Sequence, residues 1–492
     1  MKDIRIRDEI VELKPEIVFK YFEFVSSIPR PSLGEEDISN RICKWAKDKG
    51  FSVQQDEAWN LVIKKPGAKG KEKSEPLILQ AHMDMVCEKT EDSEHDFSKD
   101  PIKMKIEGDW IVSADGTTLG GDNGIGVALA MAALDDDTIN NPPLEVIFTT
   151  DEERGFKGAK TLSPQRFKSN RMINLDYTRD DTILAGSCGG TAIDYGMETK
   201  TMSLDTKDFE IFEIEISGLI GGHSGVDIHR GRGNAIMIMA ELLKEVLKSL
   251  SKVYLLSWQG GNFRLAIPRG SKMRILVPCE EAEKTDSVIK DVFRTYRAEI
   301  PKEDLAIDCR KISRKETAIK AISSGEILKI VNLLSLFPNE VVGMSGAVEG
   351  TVESSDNIGE LSLNEEGFLL TAEARSNTVY GLKLIKDKVL ILADMFGGKV
   401  KFYDEYVPWI YRNDSPLREI SEKTYESLFG GKPDVTVVHA GLEVGFFQEK
   451  DPTMDAVALG PVGEFLHSPA ERLSISSTEK MWYWLREIIE SC

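Results

Sequence analysis

A chain of 492 residues is longer than one hydrophobic core usually serves, which points to two or three domains. Its 62 Lys and Arg against 82 Asp and Glu give a formal net charge of −20, so the basic footprint that nucleic acid or an anionic membrane surface needs is missing, and both are set aside as general partners. An apolar fraction of 41% is ample for buried cores, and no run of 18 apolar residues offers a membrane span.

The opening segment, MKDIRIRDEIVELKP, interrupts every apolar pair with charge and holds no apolar region of a secretory signal; the expectation is a soluble, cytoplasmic protein. Six cysteines (Cys43, Cys87, Cys188, Cys279, Cys309, Cys492) are scattered without a CxxC pair, as befits reduced thiols, and each reads as a small packed residue. From 1 to 188, helical spacing (EIVFKYFEFVSSI, DISNRICKWAKDKG) alternates with strand-like runs (EPLILQAHMDMV, LEVIFTT, RMINLDY). Between them GDNGIGVALAMAALDDD reads as a glycine-rich turn leading into an Ala-rich helix. Short apolar strands separated by helices predict an α/β fold with a mainly parallel sheet covered by helices on both faces. KPGAKGKEKSEP (65–76) reads as an exposed turn between strands.

After AGSCGG (185–190) the texture changes to alternating strands, FEIFEIEISG and GFLLTAEARS, each followed by a helix-like stretch, GRGNAIMIMAELLKEVLKSL and VYGLKLIKDKVLILADMF. Two strand-then-helix units between about 205 and 396 suggest an α+β domain of two related halves. From about 397 the strand pattern returns in KVKFYDEY, DVTVVHAG and DAVALGP, and STEKMWYWLREIIESC closes the chain as an amphipathic helix. The organisation expected is therefore a parent domain over 1–188 and 397–492, interrupted by an inserted domain over 189–396.

Where the chemistry-bearing residues fall is informative. His82 and Asp84 in AHMDM lie on one side of a strand by its period of two, an arrangement suited to an imidazole ligand oriented by an acid, although HxD alone is a weak signal. In LGGDNGIG (119–126) the glycines let Asp122 reach a crowded spot, and the order fits a phosphate loop poorly because an acid stands where bare amides are needed; a plain tight turn is the simpler alternative. FTTDEERGFKG runs a strand into Asp151, Glu152 and Glu153, like charges that oppose one another's ionisation unless a cation or an unusual proton arrangement relieves them. Asp176 ends a strand in NLDY, and His467 sits in the loop EFLHSP. Each taken alone reads as a solvated loop residue; together they gather at strand ends, the edge where sites form in open α/β sheets. Imidazoles with carboxylates fit zinc or a similar divalent ion better than calcium or magnesium, and a bridging carboxylate would admit two ions.

The ordered set HMD, GGDNG, TDEE, NLD, GGHSG and HSP, with GGNFRLAIPRG, VESSDNIG and VVHAGLEVG, resembles the aminoacyl-histidine dipeptidases, also called peptidase D or cytosolic nonspecific dipeptidases, within the dizinc metallopeptidases. The likeness spans nearly the whole chain. It implies two zinc ions, with cobalt or manganese as substitutes, held by His82, Glu153, Asp176 and His467 and bridged by Asp122, with Asp84 orienting His82. It also implies a cis peptide after Asp122 and Glu152 as the base that deprotonates an acidified water and returns the proton to the departing amine. By the same resemblance 189–396 is a lid, in which His223 stabilises an oxyanion, Arg375 holds a substrate carboxylate and Asn262 assists, and through which two copies could pair as a homodimer.

The expected substrate is a small unblocked dipeptide. Aminoacylase or tripeptidase activity on the same metals is the close alternative, and a non-catalytic metal- or peptide-binding relative is a second, against which the retention of Glu152 argues. A third, calcium bound by the acidic clusters, predicts no histidine involvement. His229 reads as structural and His95, in EDSEHD, as solvent-exposed. His439 and Glu443 in HAGLE fit the family pattern without a derivable role, and Tyr177 departs from it just after Asp176, which bears on the shape of the pocket.

Overall fold

Strands that are apolar on both faces form the centre of the first of two structural units. The computed structural model describes residues 10, 12–299, 306–312 and 318–492, so the opening segment read for its lack of an apolar run lies, through residue 9, outside the described residues. One unit comprises 1–186, 409–437 and 442–492; the other comprises 187–408 and 438–441.

In the first unit the main sheet contains β1 (Ser52–Gln55), β2 (Leu61–Lys65), β3 (Leu77–His82), β4 (Leu144–Thr149), β5 (Arg171–Asn174), β6 (Thr182–Ser187), β7 (Asp434–Val438) and β8 (Asp455–Ala458). Their spatial order is β1-β2-β4-β3-β5-β8-β6-β7. The inner strands β4, β3, β5 and β8 run parallel, while β1, β2 and β6 pair antiparallel, giving a mixed sheet with a parallel centre. Every residue of β3 (LILQAH) and β4 (LEVIFT) is buried, as a sheet covered on both faces requires. On the side of Leu77, Leu79 and Ala81 the core is completed by α1 (Glu16–Ser26), α2 (Gly121–Asp135) and α3 (Ile475–Ser491). Buried from Asn123 to Leu134, α2 has no polar face because it lies inside this layer, which is why an Ala- and Gly-rich sequence suits it.

An antiparallel sheet dominates the second unit, with spatial order 306–312, 209–217, 271–278, 254–260, 352–364, 367–376, 189–197 and 399–406 along its main path. Helices Ala235–Ser249, Ala282–Glu299, Ser324–Leu336 and Val379–Phe396 contribute to its core, so the two expected strand-then-helix stretches are present as 209–217 with 235–249 and 367–376 with 379–396. One boundary is corrected. Strand 399–406, assigned from its pattern to the resumed parent domain, pairs with 189–197 in the second unit. A strand at a domain junction carries the same alternation whichever sheet it joins, so the pattern could not tell them apart. Among the described residues, no helix is long and apolar enough to cross a membrane.

Trp484 ties α3 into the first core: it is fully buried, its indole N–H donates to the Ser421 carbonyl at 3.0 Å, and its ring meets Tyr425 edge-on at 4.8 Å. Trp484→Ala should therefore cost about 3–5 kcal/mol, read as a lowered urea midpoint for the first unit in equilibrium unfolding. Trp484→Phe, which retains an aromatic ring but loses the donor, should cost less.

Candidate metal centre

The parallel register decides where the polar residues emerge. His82 stands opposite Thr149 and Gln80 opposite Asn174, so β3, β4 and β5 end together and the segments that follow them rise from one edge. Those segments carry Asp84, then Asp151, Glu152 and Glu153, then Asp176. Asp122 arrives from the turn that opens α2, where Gly120 takes φ +68° and the Asp122–Asn123 peptide is cis as expected. His467 comes from the loop after β8, itself in the left-handed region at φ 59°, as is Asp151 at 54°. For residues with a Cβ this conformation costs about 1–2 kcal/mol and is characteristic of functional sites.

One carboxylate stands between the two imidazoles. Asp122 Oδ1 lies 3.2 Å from His82 Nε2, and Asp122 Oδ2 lies 3.4 Å from His467 Nε2. Asp176 Oδ1 approaches the His82 side at 3.8 Å, and Glu153 Oε2 approaches His467 at 3.2 Å. His82, Asp122 and Glu153 each offer a donor atom within 4.8 Å of the others, the group among the described residues that can hold a metal ion. Asp84 sits 3.3 Å from His82 Nδ1 without hydrogen-bond alignment. Its oxygens instead accept the Glu152 amide at 3.1 Å, the Glu153 amide at 3.2 Å and the Ser32 hydroxyl at 2.8 Å. Asp84 thus fixes the backbone that carries the acid pair. Asp151, the first of the three consecutive acids, is not part of the donor group; its amide is held by Glu35 Oε1 at 2.9 Å.

Crowding shows in the proton affinities. Burial, with Glu153, Asp176 and Glu443 near by, pushes the Glu152 carboxyl well above its usual range, His82 opposing. Burial and Asp122 do the same to Asp176, and they raise Glu153 with His467 and His82 opposing. Asp122 is instead held low although burial opposes its charge, because His467 and His82 hydrogen-bond to it. Hydrogen bonds to Asp122 and Glu153 raise His467 to about 10. Buried Glu153 Oε1 and His82 Nδ1 have no hydrogen-bond partner. Imidazole nitrogens and carboxylate oxygens facing one another at these distances, with a buried carboxylate oxygen unsatisfied, fit a divalent ion.

Beneath the cluster lies a polar layer that sequence reasoning did not find. Gln80 donates to Glu443 Oε2 at 2.6 Å, Thr149 donates to the same oxygen at 2.5 Å, and Asn174 donates to Gln80 at 2.6 Å. Asn174 Oδ1 accepts the Asp176 amide at 3.2 Å. Burial lifts Glu443 to about 7, with Thr149 and Gln80 opposing. The available signal was Gln80 and Asn174, polar residues inside apolar strands and each two positions before a member of the cluster.

In the second unit, His223 is exposed and its Nδ1 accepts the amides of Gly225 at 2.9 Å and Val226 at 3.1 Å. The neutral ring therefore carries its proton on Nε2. Arg375 is buried, donates to Tyr406 at 2.6 Å and leaves Nε without a partner. Asn262 is exposed in the loop after strand 254–260. His439 is buried between the Ser355 hydroxyl at 2.7 Å and Asn377 Oδ1 at 3.2 Å, and burial, with Arg375 and His223 adding, lowers it to about 3. His229 is exposed on the short turn Ile228–Arg230. His95 corrects an expectation: it is buried, its ring edge-on to Phe97 at 4.6 Å, because the acidic run around it folds the imidazole inward while its neighbours stay wet.

An α/β sheet whose parallel strand ends bring acids and imidazoles to one carboxylate defines a metal-dependent hydrolase scaffold, and the chain belongs to Peptidase family M20/M25/M40, whose family model matches residues 78–491, the span that carries the whole cluster. It is 36% identical over 490 residues to the cytosol non-specific dipeptidase of Escherichia coli (strain K12), covering 98% of this chain and 99% of that relative. The crystal structure of the aminoacylhistidine dipeptidase from Vibrio alginolyticus superposes with a TM-score of 0.90 at 33% identity, covering 99% of this chain and 98% of that one. The aminopeptidase PepT from Bacillus cereus ATCC 10987, at 16% identity, a TM-score of 0.56 and coverage of 97% and 98%, shares the fold.

Metal ligands bind in their deprotonated forms, so an ion entering this cluster displaces whatever protons its imidazoles and carboxylates carry. Calorimetric titration of the apoprotein with Zn²⁺, Co²⁺ or Mn²⁺ in buffers of different ionisation enthalpy should show net proton release, and apparent affinity should rise with pH between 6 and 8, on the order of tenfold for each proton released per pH unit.

Proposed function

We propose that this chain is a dizinc metallo-dipeptidase that hydrolyses unblocked dipeptides, Xaa-His dipeptides among them. The observation that carries the reading is Asp122, whose two oxygens face different imidazoles, one accompanied by Asp176 and the other by Glu153. In this reading His82 and Asp176 would hold one ion, His467 and Glu153 the other, and Asp122 would serve both. Bound there, zinc ions would acidify a water and polarise the scissile carbonyl; cobalt or manganese could substitute. Glu152, buried and held at its amide by Asp84, takes the proton from the water and returns it to the leaving amine.

The second unit serves as the lid in this reading, with residues 189–396 as its bulk and as the surface for a homodimer. His223 presents an Nε2–H donor suited to an oxyanion, and Arg375, with an unpaired Nε, is suited to a substrate's terminal carboxylate with Asn262 assisting. The dipeptidase names of the Escherichia coli and Vibrio alginolyticus relatives support the substrate class, and a cytoplasmic setting accords with the first of those names. No nucleic-acid or membrane partner enters this reading. Tyr177, half-buried and adjacent to Asp176, is a candidate wall of the substrate pocket.

Glu152→Gln should keep both ions and lower kcat by about 10²–10⁴-fold; undiminished hydrolysis with zinc bound would remove Glu152 from the role of base. On a panel of unblocked dipeptides, tripeptides and N-acyl amino acids, the dipeptides should show the highest kcat/KM. Preference for tripeptides or N-acyl amino acids would move the protein to a tripeptidase or aminoacylase assignment.

A further inference from the structure

Four residues beyond His467, Glu471 turns inward and is buried. Its Oε2 accepts the amides of Leu119 at 2.7 Å and Gly120 at 3.0 Å, and its Oε1 accepts those of Gly121 at 2.8 Å and Asp122 at 3.3 Å. Four successive amides can converge on one anion because Gly120 adopts φ +68°, which folds the backbone into a concave nest. A carboxylate has about four acceptor sites, and here they are filled. Arg30, also buried, closes the other side: Nη1 donates to the Met83 and Asp84 carbonyls at 3.0 Å each, and Nη2 donates to the Gly120 carbonyl. The space is filled, since a Cβ on Gly120 would lie 2.5 Å and one on Gly124 2.6 Å from Arg30 Nη2.

Burying another carboxylate beside an acidic cluster is electrostatically unfavourable unless it does something that a neutral residue could not. We propose that Glu471, backed by Arg30, is a positioning residue that fixes the turn carrying Asp122, so that the one carboxylate shared between the two sides of the cluster is held in place before any ion arrives. The loop that carries His467 therefore grips Asp122 twice, by its side chain through the imidazole and by its backbone through Glu471. This inference rests on the dizinc reading of the cluster for its consequence, while the clamp itself rests on the hydrogen bonds. Its signature is selective: loosening Asp122 weakens the arrangement that needs both of its oxygens more than one that needs a single oxygen.

The test is Glu471→Gln, whose amide turns two acceptor positions into donors aimed at backbone N–H groups. Calorimetric Zn²⁺ titration of the folded variant should show a first ion bound nearly as in the parent and a second bound about 10–100-fold more weakly. At subsaturating zinc kcat should fall with KM little changed, and Glu471→Asp should recover part of both losses. A Glu471→Gln protein that binds two ions as tightly as the parent overturns the proposal. Should that variant fail to fold, hydrogen exchange of the unsubstituted protein decides: the amides of residues 119–122 should stay protected after zinc is stripped with a chelator, and free exchange there overturns the clamp. If the parent binds no pair of ions, the dizinc reading fails on its own, and the exchange of residues 119–122 still judges the clamp separately.

Discussion

The structure of the first unit is organised around a crowding of like charge. Asp122, Glu152, Glu153 and Asp176 converge within a largely buried space, and Arg30, the buried guanidinium near by, directs its hydrogen bonds to carbonyls and not to these acids. Such an arrangement survives only if protons or metal ions offset the repulsion and the backbone prevents the acids from parting. Imidazoles stand on either side of Asp122, and a divalent ion between imidazole and carboxylate would offset the repulsion.

Backbone restraint comes from several levels. The parallel register brings three strand ends level, so polar residues just past those ends share one edge without long loops. Asp84 then ties the Glu152–Glu153 amides to the segment following β3, and Glu35 ties the amide of Asp151. Below, Gln80, Thr149, Asn174 and Glu443 link the strands through side chains in a layer that would otherwise be apolar. The left-handed conformation at Asp151 is a strained position held at its amide by Glu35.

Much of this was legible in the sequence because the signals are local. HMD, GGDNG, TDEE and NLD each place a polar residue just after an apolar run or a glycine turn, and a strand end is recognisable from a dozen residues. The α/β character and the approximate position of the inserted block follow from the same periodicities. What could not be read acts across the chain or through the backbone. Glu471 and Arg30 recognise amides and carbonyls, which leave no trace in residue type, and Ser32 matters only because the fold brings it to Asp84. Strand 399–406 was misassigned because alternation reports a half-buried strand and not its partner. His95 was misjudged because an acidic neighbourhood describes the average of a loop, whereas one ring within it can turn against Phe97.

The first unit is discontinuous: residues 1–186 wait for 409–437 and 442–492 to complete it. During synthesis His82, Asp122, Glu153 and Asp176 leave the ribosome long before His467 and Glu471 are translated, with the entire second unit made in between. A chain that stops short of 467 thus already holds His82, Asp122 and Glu153 but lacks the loop whose imidazole meets Asp122 from the other side.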